Sequence, residues 1–239
     1  MNDNTTRFET LVRETLAPYY CTNPRLGFEP DGFDADRKIP DPVDVAHFLR
    51  AWDLGLLRPL GEGRYGSVRG SASETLFWEG RKADSPRRFW LWLEPLITFG
   101  GLAKLHDEFG WPIEMIGTQS PDYAFDIVAY PDATDVERIA GEVKKSRREV
   151  DQLLEMMVEY GGKPDASALA GEKGRNAYKK VEGLRARRAP VFWALGPAGY
   201  NRTFSVLFED DGTLQLKETD ISILMCPHLD FGAPPKQRT

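Results

Sequence analysis

The pattern of apolar and polar positions predicts two helices at the start of the chain. Apolar residues recur at helical spacing over residues 5–17 and again up to about residue 55. The second helix has a clear start signal, because Asp41-Pro42 places a capping carboxylate before a proline at the first helical position. Residues 60–82 are rich in glycine and serine and predict a hairpin.

A third helix is predicted from Ser85-Pro86, and the pattern changes from helix to strand where it ends. This helix is expected to kink or restart at Pro95 and to end near Gly110. Three short strand-like stretches follow in succession: WPIEMIG, YAFDIVAY and RIAGEVKK.

Two helices and three strands are predicted for the rest of the chain. One apolar helical stripe contains Val150, Leu153, Leu154, Met157 and Val158, and Gly161-Gly162 ends that helix. A basic helix is expected over residues 174–188. The last strands are VFWALG, TFSVLFED and TLQLKET, and an Asp211-Gly212 turn joins the last two.

This order of elements predicts an α/β fold of the mixed α+β type. We expect a core over residues 86–239 that ends in a C-terminal hairpin, and an N-terminal helical or irregular addition over residues 1–85.

Composition places the chain among ordinary folded proteins. It has 239 residues, of which 41% are hydrophobic and 28% charged. The first twenty residues lack the apolar run of a secretory signal, and no apolar stretch is long enough to span a membrane. Cys21 and Cys226 lie far apart, without metal or redox spacing. A cytoplasmic location without membrane contact is therefore expected.

The charge distribution carries more information than the net charge of -6. Residues 172–188 hold seven Lys/Arg against two Glu, a local charge of +5, so the remaining residues sum to -11. KKSRR at 144–148 is a second basic cluster. Such runs form either a solvated helix face or a surface that contacts phosphates. The candidate phosphate contacts are Lys145, Arg147, Arg148, Lys179, Lys180, Arg185, Arg187 and Arg188.

The most strand-like pair of segments carries charges among its apolar residues. If YAFDIVAY and RIAGEVKK pair antiparallel around a turn centred on Thr134, paired residue numbers sum to 268. Asp126 then faces Glu142, and their Cβ atoms would be about 5 Å apart. Because like charges at that distance repel, the pair needs a compensating cation, and a divalent metal would supply it. Lys144 lies on the same face as Glu142.

This set of side chains suits the hydrolysis of a phosphodiester. Carboxylate oxygens with room for water and phosphate suit Mg²⁺, and a nearby lysine can orient water or stabilise the developing charge. A plainer interpretation stays open. In it, Asp126 and Glu142 lie solvated at strand ends, or pair with Lys144 and Lys145.

The same residues resemble the PD-(D/E)XK nuclease superfamily. The resemblance rests on Asp126 in "FDIVAY" and on Glu142-Val143-Lys144 as the E-x-K element, with fifteen residues between Asp126 and Glu142. It covers roughly residues 86–200. It implies a restriction endonuclease-like αβββαβ core in which Asp126 and Glu142 bind Mg²⁺ (or Mn²⁺) while Lys144 assists the attacking water.

The resemblance also implies further metal ligands. The backbone carbonyl of Val143 is one candidate. Glu94 is another, since many members use an acidic residue from the first core helix. Asp122 is a second candidate for the aspartate, because the literal Pro-Asp pair is Pro121-Asp122, four residues before Asp126.

Three functions are compatible with these features. The first is a Mg²⁺-dependent nuclease, expected to be a DNA endonuclease, with RNA left open as a substrate. The second is a catalytically inactive nuclease-like fold that binds nucleic acid or a protein. The third is a metal-dependent enzyme that acts on a small phosphorylated molecule. The basic segments favour a polymer over a small substrate, and a homodimer stays open.

Overall fold

The computed structural model of the chain describes residues 3–82, 86–120, 124–131, 136–163 and 171–227. Helices and strands are mixed along these residues, as the sequence pattern predicts. None of the helices in the described part is both long and apolar enough to cross a membrane.

The first predicted helix is longer than expected and changes its winding. Helix α1 (Asp3–Leu11) continues through a π-helical stretch (Val12–Leu16) into α2 (Ala17–Cys21). Helix α3 (Pro42–Asp53) begins where its start signal predicts. The Asp41 side chain caps it by accepting a 2.8 Å hydrogen bond from the backbone N of Val43.

Two small antiparallel units follow α3. Strands β1 (Arg58–Gly61), β2 (Arg64–Gly66) and β3 (Glu74–Thr75) form a three-stranded sheet, which extends the predicted hairpin by one strand. Strands β4 (Phe77–Glu79) and β5 (Phe89–Leu91) form a separate two-stranded ribbon.

The expected helix start at Ser85-Pro86 is wrong. Phe89 and Leu91 are buried while Trp90 between them is partly exposed, and this alternation of period two forms β5 instead. Helix α4 (Leu93–Asp107) begins two residues later. Pro95 is its third residue, where a backbone N–H has no partner within the helix, so the proline fits without a break. The β4–β5 pairing also crosses the expected boundary at residue 85.

A six-stranded sheet follows α4 and forms the centre of the molecule. Its elements in chain order are β6 (Ile116–Thr118), β7 (Ile127–Ala129), β8 (Ile139–Val143), α5 (Arg147–Gly161), α6 (Gly171–Arg187), β9 (Val191–Leu195), β10 (Asn201–Phe208) and β11 (Leu214–Thr219). The spatial order is β11-β10-β9-β8-β7-β6. Strands β8 and β9 are parallel and the other neighbours are antiparallel. Helices α5 and α6 make the crossover between the parallel pair.

The predicted register of β7 against β8 is confirmed. Val128 pairs with Ala140 and Ile127 pairs with Gly141, so the residue numbers of each pair sum to 268. Thr134, the predicted centre of the turn, lies outside the described residues.

Helices cover both faces of this sheet. On one face of the sheet, Ala140, Phe192 and Phe204 pack against a buried stripe of α5. The stripe consists of Val150, Leu153, Leu154 and Met157. That contact confirms the predicted stripe except at Val158, which is 58% exposed. Val158 lies about 80° around the helix from Val150, beyond the edge of the sheet contact.

The N-terminal segment belongs to the core on the other face. Phe8, Tyr20 and Phe48 share one buried cluster with α4 and the sheet. Asp44 of α3 is buried and accepts hydrogen bonds from the backbone N atoms of Ala198 and Gly199 at 2.9 and 3.3 Å. These contacts fix α3 against the loop between β9 and β10.

A substitution at Gly141 tests how closely β7 and β8 approach each other. A Cβ atom at this position would lie 2.9 Å from the Cβ of Ile127, so Gly141→Ala forces the two strands apart. We expect it to lower the free energy of unfolding by about 1–3 kcal/mol in chemical denaturation. Gly162→Ala is the matched control, since its nearest atom would be 3.9 Å away. Equal stability of the two variants would contradict the packing described here.

Candidate active site

Asp126 lies at the edge of the sheet where β7 begins and β8 ends. Its backbone N donates to the carbonyl of Gly141 at 2.9 Å. Just before it, the Ser120 hydroxyl accepts from the backbone N atoms of Ala124 and Phe125 at 2.9 and 3.0 Å. These bonds fix the entry into β7 and hold the Asp126 side chain at the end of β8.

Glu142 lies inside β8, the strand between β7 and β9. Only 2% of its side chain is exposed. Its Oε1 is 2.5 Å from the Lys144 Nζ, and its Oε2 is 2.6 Å from the Lys180 Nζ. The contact with Lys180 is an ion pair without the alignment of a hydrogen bond, so the buried Oε2 lacks an aligned donor.

The structure corrects the expectation that Lys180 contacts phosphate on the surface. Its ammonium is buried beside Glu142 and also donates to the carbonyl of Ala124. The sequence does contain a signal for this burial. Ala177, Val181 and Leu184 form the buried face of α6, and position 180 lies three residues after 177 and four before 184.

The surroundings of Asp126 raise the pKa of its carboxyl group. Its Oδ2 accepts a 2.9 Å hydrogen bond from the backbone N of Val143. The side chain keeps some solvent access, yet protein atoms surround it densely. Burial, and next the negative charge of Glu142, raise the pKa of Asp126 to about 7, although Lys180 and Lys144 oppose the shift.

The pKa shifts of Glu142 and Lys144 each favour the charged form of the group. Burial would raise the pKa of Glu142, but Lys180 and Lys144 outweigh burial and lower it. Burial would also lower the pKa of Lys144, but the charges of Glu142 and Asp126 outweigh burial and raise it. Glu142 and Lys144 are therefore charged near neutral pH, while Asp126 titrates there.

Glu94 lies beside this group. It is in the first turn of α4, and its Oε1 accepts from the backbone N of Lys145 at 3.2 Å. Its Oε2 accepts from the Trp92 indole at 3.2 Å. Its negative charge contributes to the raised pKa of Lys144. The other acidic candidate, Asp122, lies outside the described residues.

Glu74 is a further carboxylate that the sequence analysis missed. It is on β3, is buried, and accepts a 2.6 Å hydrogen bond from the Gln119 amide. The backbone N of Gln119 donates in turn to the carbonyl of Asp126 at 3.0 Å. Burial raises the pKa of Glu74, and the charge of Glu94 adds to that shift. No motif distinguishes this glutamate from a solvated one.

Two of the expected phosphate contacts on α6 have partners within the fold. Arg185 pairs with Glu182 and donates to the carbonyls of Tyr160, Gly161 and Gly212. Arg187 pairs with the buried Glu137. This corrects the expectation that α6 presents Arg185 and Arg187 to phosphates, because both guanidinium groups join elements of the fold.

Other basic candidates are exposed. Lys145, Arg147 and Arg148 follow β8 directly and begin α5, so they lie near Glu142 in the chain and at the same edge of the sheet. Lys179 and Arg188 are exposed on and after α6, and the Arg188 guanidinium lies 4.2 Å from the centre of the Phe208 ring.

The arrangement offers oxygen ligands for a metal, although they are not clustered for one. Within the described ranges, no three Asp, Glu, His or Cys side chains lie close enough to hold an ion. The Val143 carbonyl accepts from the Lys144 ammonium at 3.0 Å.

Comparison of the chain with protein-family models, with curated proteins and with solved structures finds no match.

The raised pKa of Asp126 predicts how stability depends on pH. The folded protein keeps a proton that the unfolded chain releases, so the wild type should lose stability as the pH rises from about 4 to about 7. The side chain of Asp126→Asn cannot ionise, so its free energy of unfolding should rise relative to that of the wild type over this range, by an amount on the order of a few kcal/mol. Chemical denaturation across pH 4–8 measures the difference.

The exposed Asp210→Asn is the control, and its stability profile should run parallel to that of the wild type. Glu142 has a lowered pKa, so its contribution to stability is lost only as the pH falls below its ordinary value of 4.5, and most of the window of Asp126 lies above that value. A parallel profile for Asp126→Asn would contradict the raised pKa.

Proposed function

We propose that this protein hydrolyses phosphodiester bonds in nucleic acid with Mg²⁺ or Mn²⁺, as a DNA endonuclease. One observation carries the proposal. Asp126 directly precedes β7 and Glu142 lies near the end of the paired strand β8, close enough for its charge to raise the pKa of Asp126, and the Lys144 ammonium lies 2.5 Å from Glu142 Oε1.

The order of elements supports a restriction endonuclease-like core. Helix α4 is followed by the antiparallel strands β6, β7 and β8, then by α5, and then by β9 parallel to β8. This is the αβββαβ order that the resemblance to PD-(D/E)XK nucleases implies, with α6 added to the crossover. Glu142 lies on the third strand, and Asp126 directly precedes the second.

The donor set fits a divalent cation. The buried Oε2 of Glu142 has no aligned hydrogen-bond donor and only the ion pair with Lys180 at 2.6 Å, while burial, and next the charge of Glu142, raises the pKa of Asp126 to about 7. Asp126 and Glu142 would hold the ion, with the Val143 carbonyl as a further oxygen ligand, whereas Glu94 accepts from the backbone N of Lys145 and from the Trp92 indole. Bound there, Mg²⁺ would supply positive charge that stabilises a phosphoryl oxygen and acidifies water.

The residues of the chain would divide the remaining work. Lys144 has 26% of its side chain exposed, so its ammonium can leave Glu142 and meet a phosphate that arrives from solvent. It would orient the attacking water and stabilise the charge that develops on phosphorus. Lys180 remains buried and would keep Glu142 ionised. The exposed Lys145, Arg147 and Arg148 would contact flanking phosphates.

A second function is favoured by the ion pairs themselves. Lys144 and Lys180 already compensate Glu142, as they would in a structural triad without catalysis. A nuclease-like fold that binds nucleic acid or protein is therefore the competing proposal. The two proposals differ in one respect, because only the nuclease loses an activity when Glu142 becomes neutral.

Cleavage of DNA tests the proposal. Purified protein is incubated with supercoiled, linear and single-stranded DNA, and with RNA, in Mg²⁺, in Mn²⁺ and in EDTA. We expect cleavage that needs the metal. Glu142→Gln and Lys144→Met should each reduce the rate roughly a hundredfold or more, since each removes a group needed in the transition state.

Glu155→Gln is the matched control for these variants. Glu155 is an exposed glutamate on α5, and its loss should leave the rate unchanged. DNA binding measured in EDTA should survive Glu142→Gln. Cleavage that continues undiminished in Glu142→Gln, or no cleavage of any of these substrates by the wild type, would sink the proposal in favour of a binding module.

A further inference from the structure

Beside the carboxylate edge lies a groove of about 380 Å³. Its walls carry three indole rings and three cationic side chains. We call it the tryptophan groove; it is lined by Trp78, Trp90, Trp92, Arg37, Lys38 and Lys145, with Glu94 at one end.

The ribbon of β4 and β5 explains why indoles line this groove. Trp78 pairs with Trp90 across the ribbon, so both side chains point to the same face. Their neighbours Phe77 and Phe89 point to the opposite face and are buried in the core. The outer face therefore carries its own aromatic pair. Trp78 is 51% exposed, which is a large apolar surface to leave in water.

The indole rings contact one another and a guanidinium, and about half of Trp78 stays exposed. Trp78 and Trp92 pack edge to face, with centroids 5.0 Å apart and planes at 79°. The Arg37 guanidinium covers Trp90, with its Cζ 3.5 Å from the ring centre. This leaves the exposed ring of Trp78 for a flat ligand and places a cation beside it.

The charges of the groove select an anionic ligand. Arg37, Lys38 and Lys145 outnumber the one carboxylate, Glu94. A quaternary ammonium group, which aromatic pockets also bind, would be repelled by these three cations. A flat ring with a negative charge attached fits best. A nucleobase with its phosphate is such a ligand, and base–aromatic stacking does not depend on sequence.

Glu94 joins the groove to the carboxylate edge. Its Oε2 accepts from the Trp92 indole, and its Oε1 accepts from the backbone N of Lys145, the residue after Lys144. A nucleotide in the groove would thus lie next to the Lys144 ammonium.

We propose that the tryptophan groove binds an unpaired nucleobase by stacking on Trp78, next to the phosphate that is cleaved. The inference rests on the proposed nuclease function and narrows its substrate to nucleic acid with single-stranded character. A base inside a duplex is stacked on its neighbours on both sides and cannot reach the ring.

Binding measured in EDTA tests the groove separately from cleavage. Fluorescence anisotropy follows a labelled oligo-dT strand and a blunt duplex of equal length. Trp78→Ala should weaken oligo-dT binding roughly tenfold, the loss of about one stacked base, and leave duplex binding unchanged. Trp78→Phe keeps a flat ring and should stay near wild type. Val158→Ala, an exposed apolar residue on α5, is the control and should change nothing.

A second measurement uses the wild type alone, so it does not depend on the stability of a variant. Saturating oligo-dT should quench tryptophan fluorescence, because a base stacks on Trp78. Absence of quenching, absence of oligo-dT binding, or equal binding by Trp78→Ala and the wild type would overturn the inference. An equal loss of oligo-dT and duplex binding in Trp78→Ala would overturn it as well.

The two proposals fail in different ways. If Trp78→Ala cleaves in Mg²⁺ and binds oligo-dT as the wild type does, the tryptophan groove is rejected as a binding site and the nuclease proposal stands. Trp78-dependent binding of oligo-dT by a protein that cleaves nothing rejects the nuclease and supports the groove as a binding site.

Discussion

The buried carboxylate of Glu142 is the constraint on which the rest of this structure depends. A single ionised group inside a central strand costs several kcal/mol unless a partner compensates it. Here two lysines do so, one from the end of the same strand and one from α6. Helix α6 must therefore pack with Lys180 facing the sheet. That contact joins the crossover helices to the edge of the sheet at which Asp126 also lies.

Asp126 takes its properties from the same group. The charge of Glu142 adds to burial in raising its pKa to about 7, so the pair shares less negative charge than two free carboxylates. A divalent cation would remove that repulsion, because it favours the ionised form of both groups. The two lysines thus compensate the charge of Glu142 without a metal, and we propose that a divalent cation binds to the same carboxylates.

The sequence was sufficient for the parts of the site that depend on local pattern. Counting residues outward from the predicted turn placed Asp126 opposite Glu142. The count was useful because two short strands joined by a turn can pair in only a few registers. Strands β7 and β8 pair in the register that was counted. Lys180 and Glu74 come to the site by tertiary packing instead. Lys180 lies within a basic run that suggests a solvated face, and Glu74 begins a strand of only two residues that no motif marks. Only the three-dimensional structure brings either near Asp126.

The segment before α4 likewise shows that local sequence pattern does not reveal tertiary packing. Ser85-Pro86 has the composition of a helix start, yet Phe89 and Leu91 have a hydrophobic core to fill and form a strand. Burial of the two apolar side chains therefore outweighs the helix-start signal of Ser85-Pro86. The consequence reaches the site, because that strand pairs with β4 and turns Trp78 and Trp90 outward. An aromatic surface beside the carboxylates is therefore a product of the core on the opposite face.

A crystal structure of the protein soaked in Mn²⁺ at neutral pH would show whether Asp126 and Glu142 hold a metal, because anomalous scattering locates the ion without reference to activity. We expect a peak within bonding distance of the carboxylates of Asp126 and Glu142, with the Lys144 ammonium moved away from Glu142 Oε1. A strong Mn²⁺ peak elsewhere, or none, with both lysines still paired with Glu142, would contradict it and leave the charged edge as a structural triad.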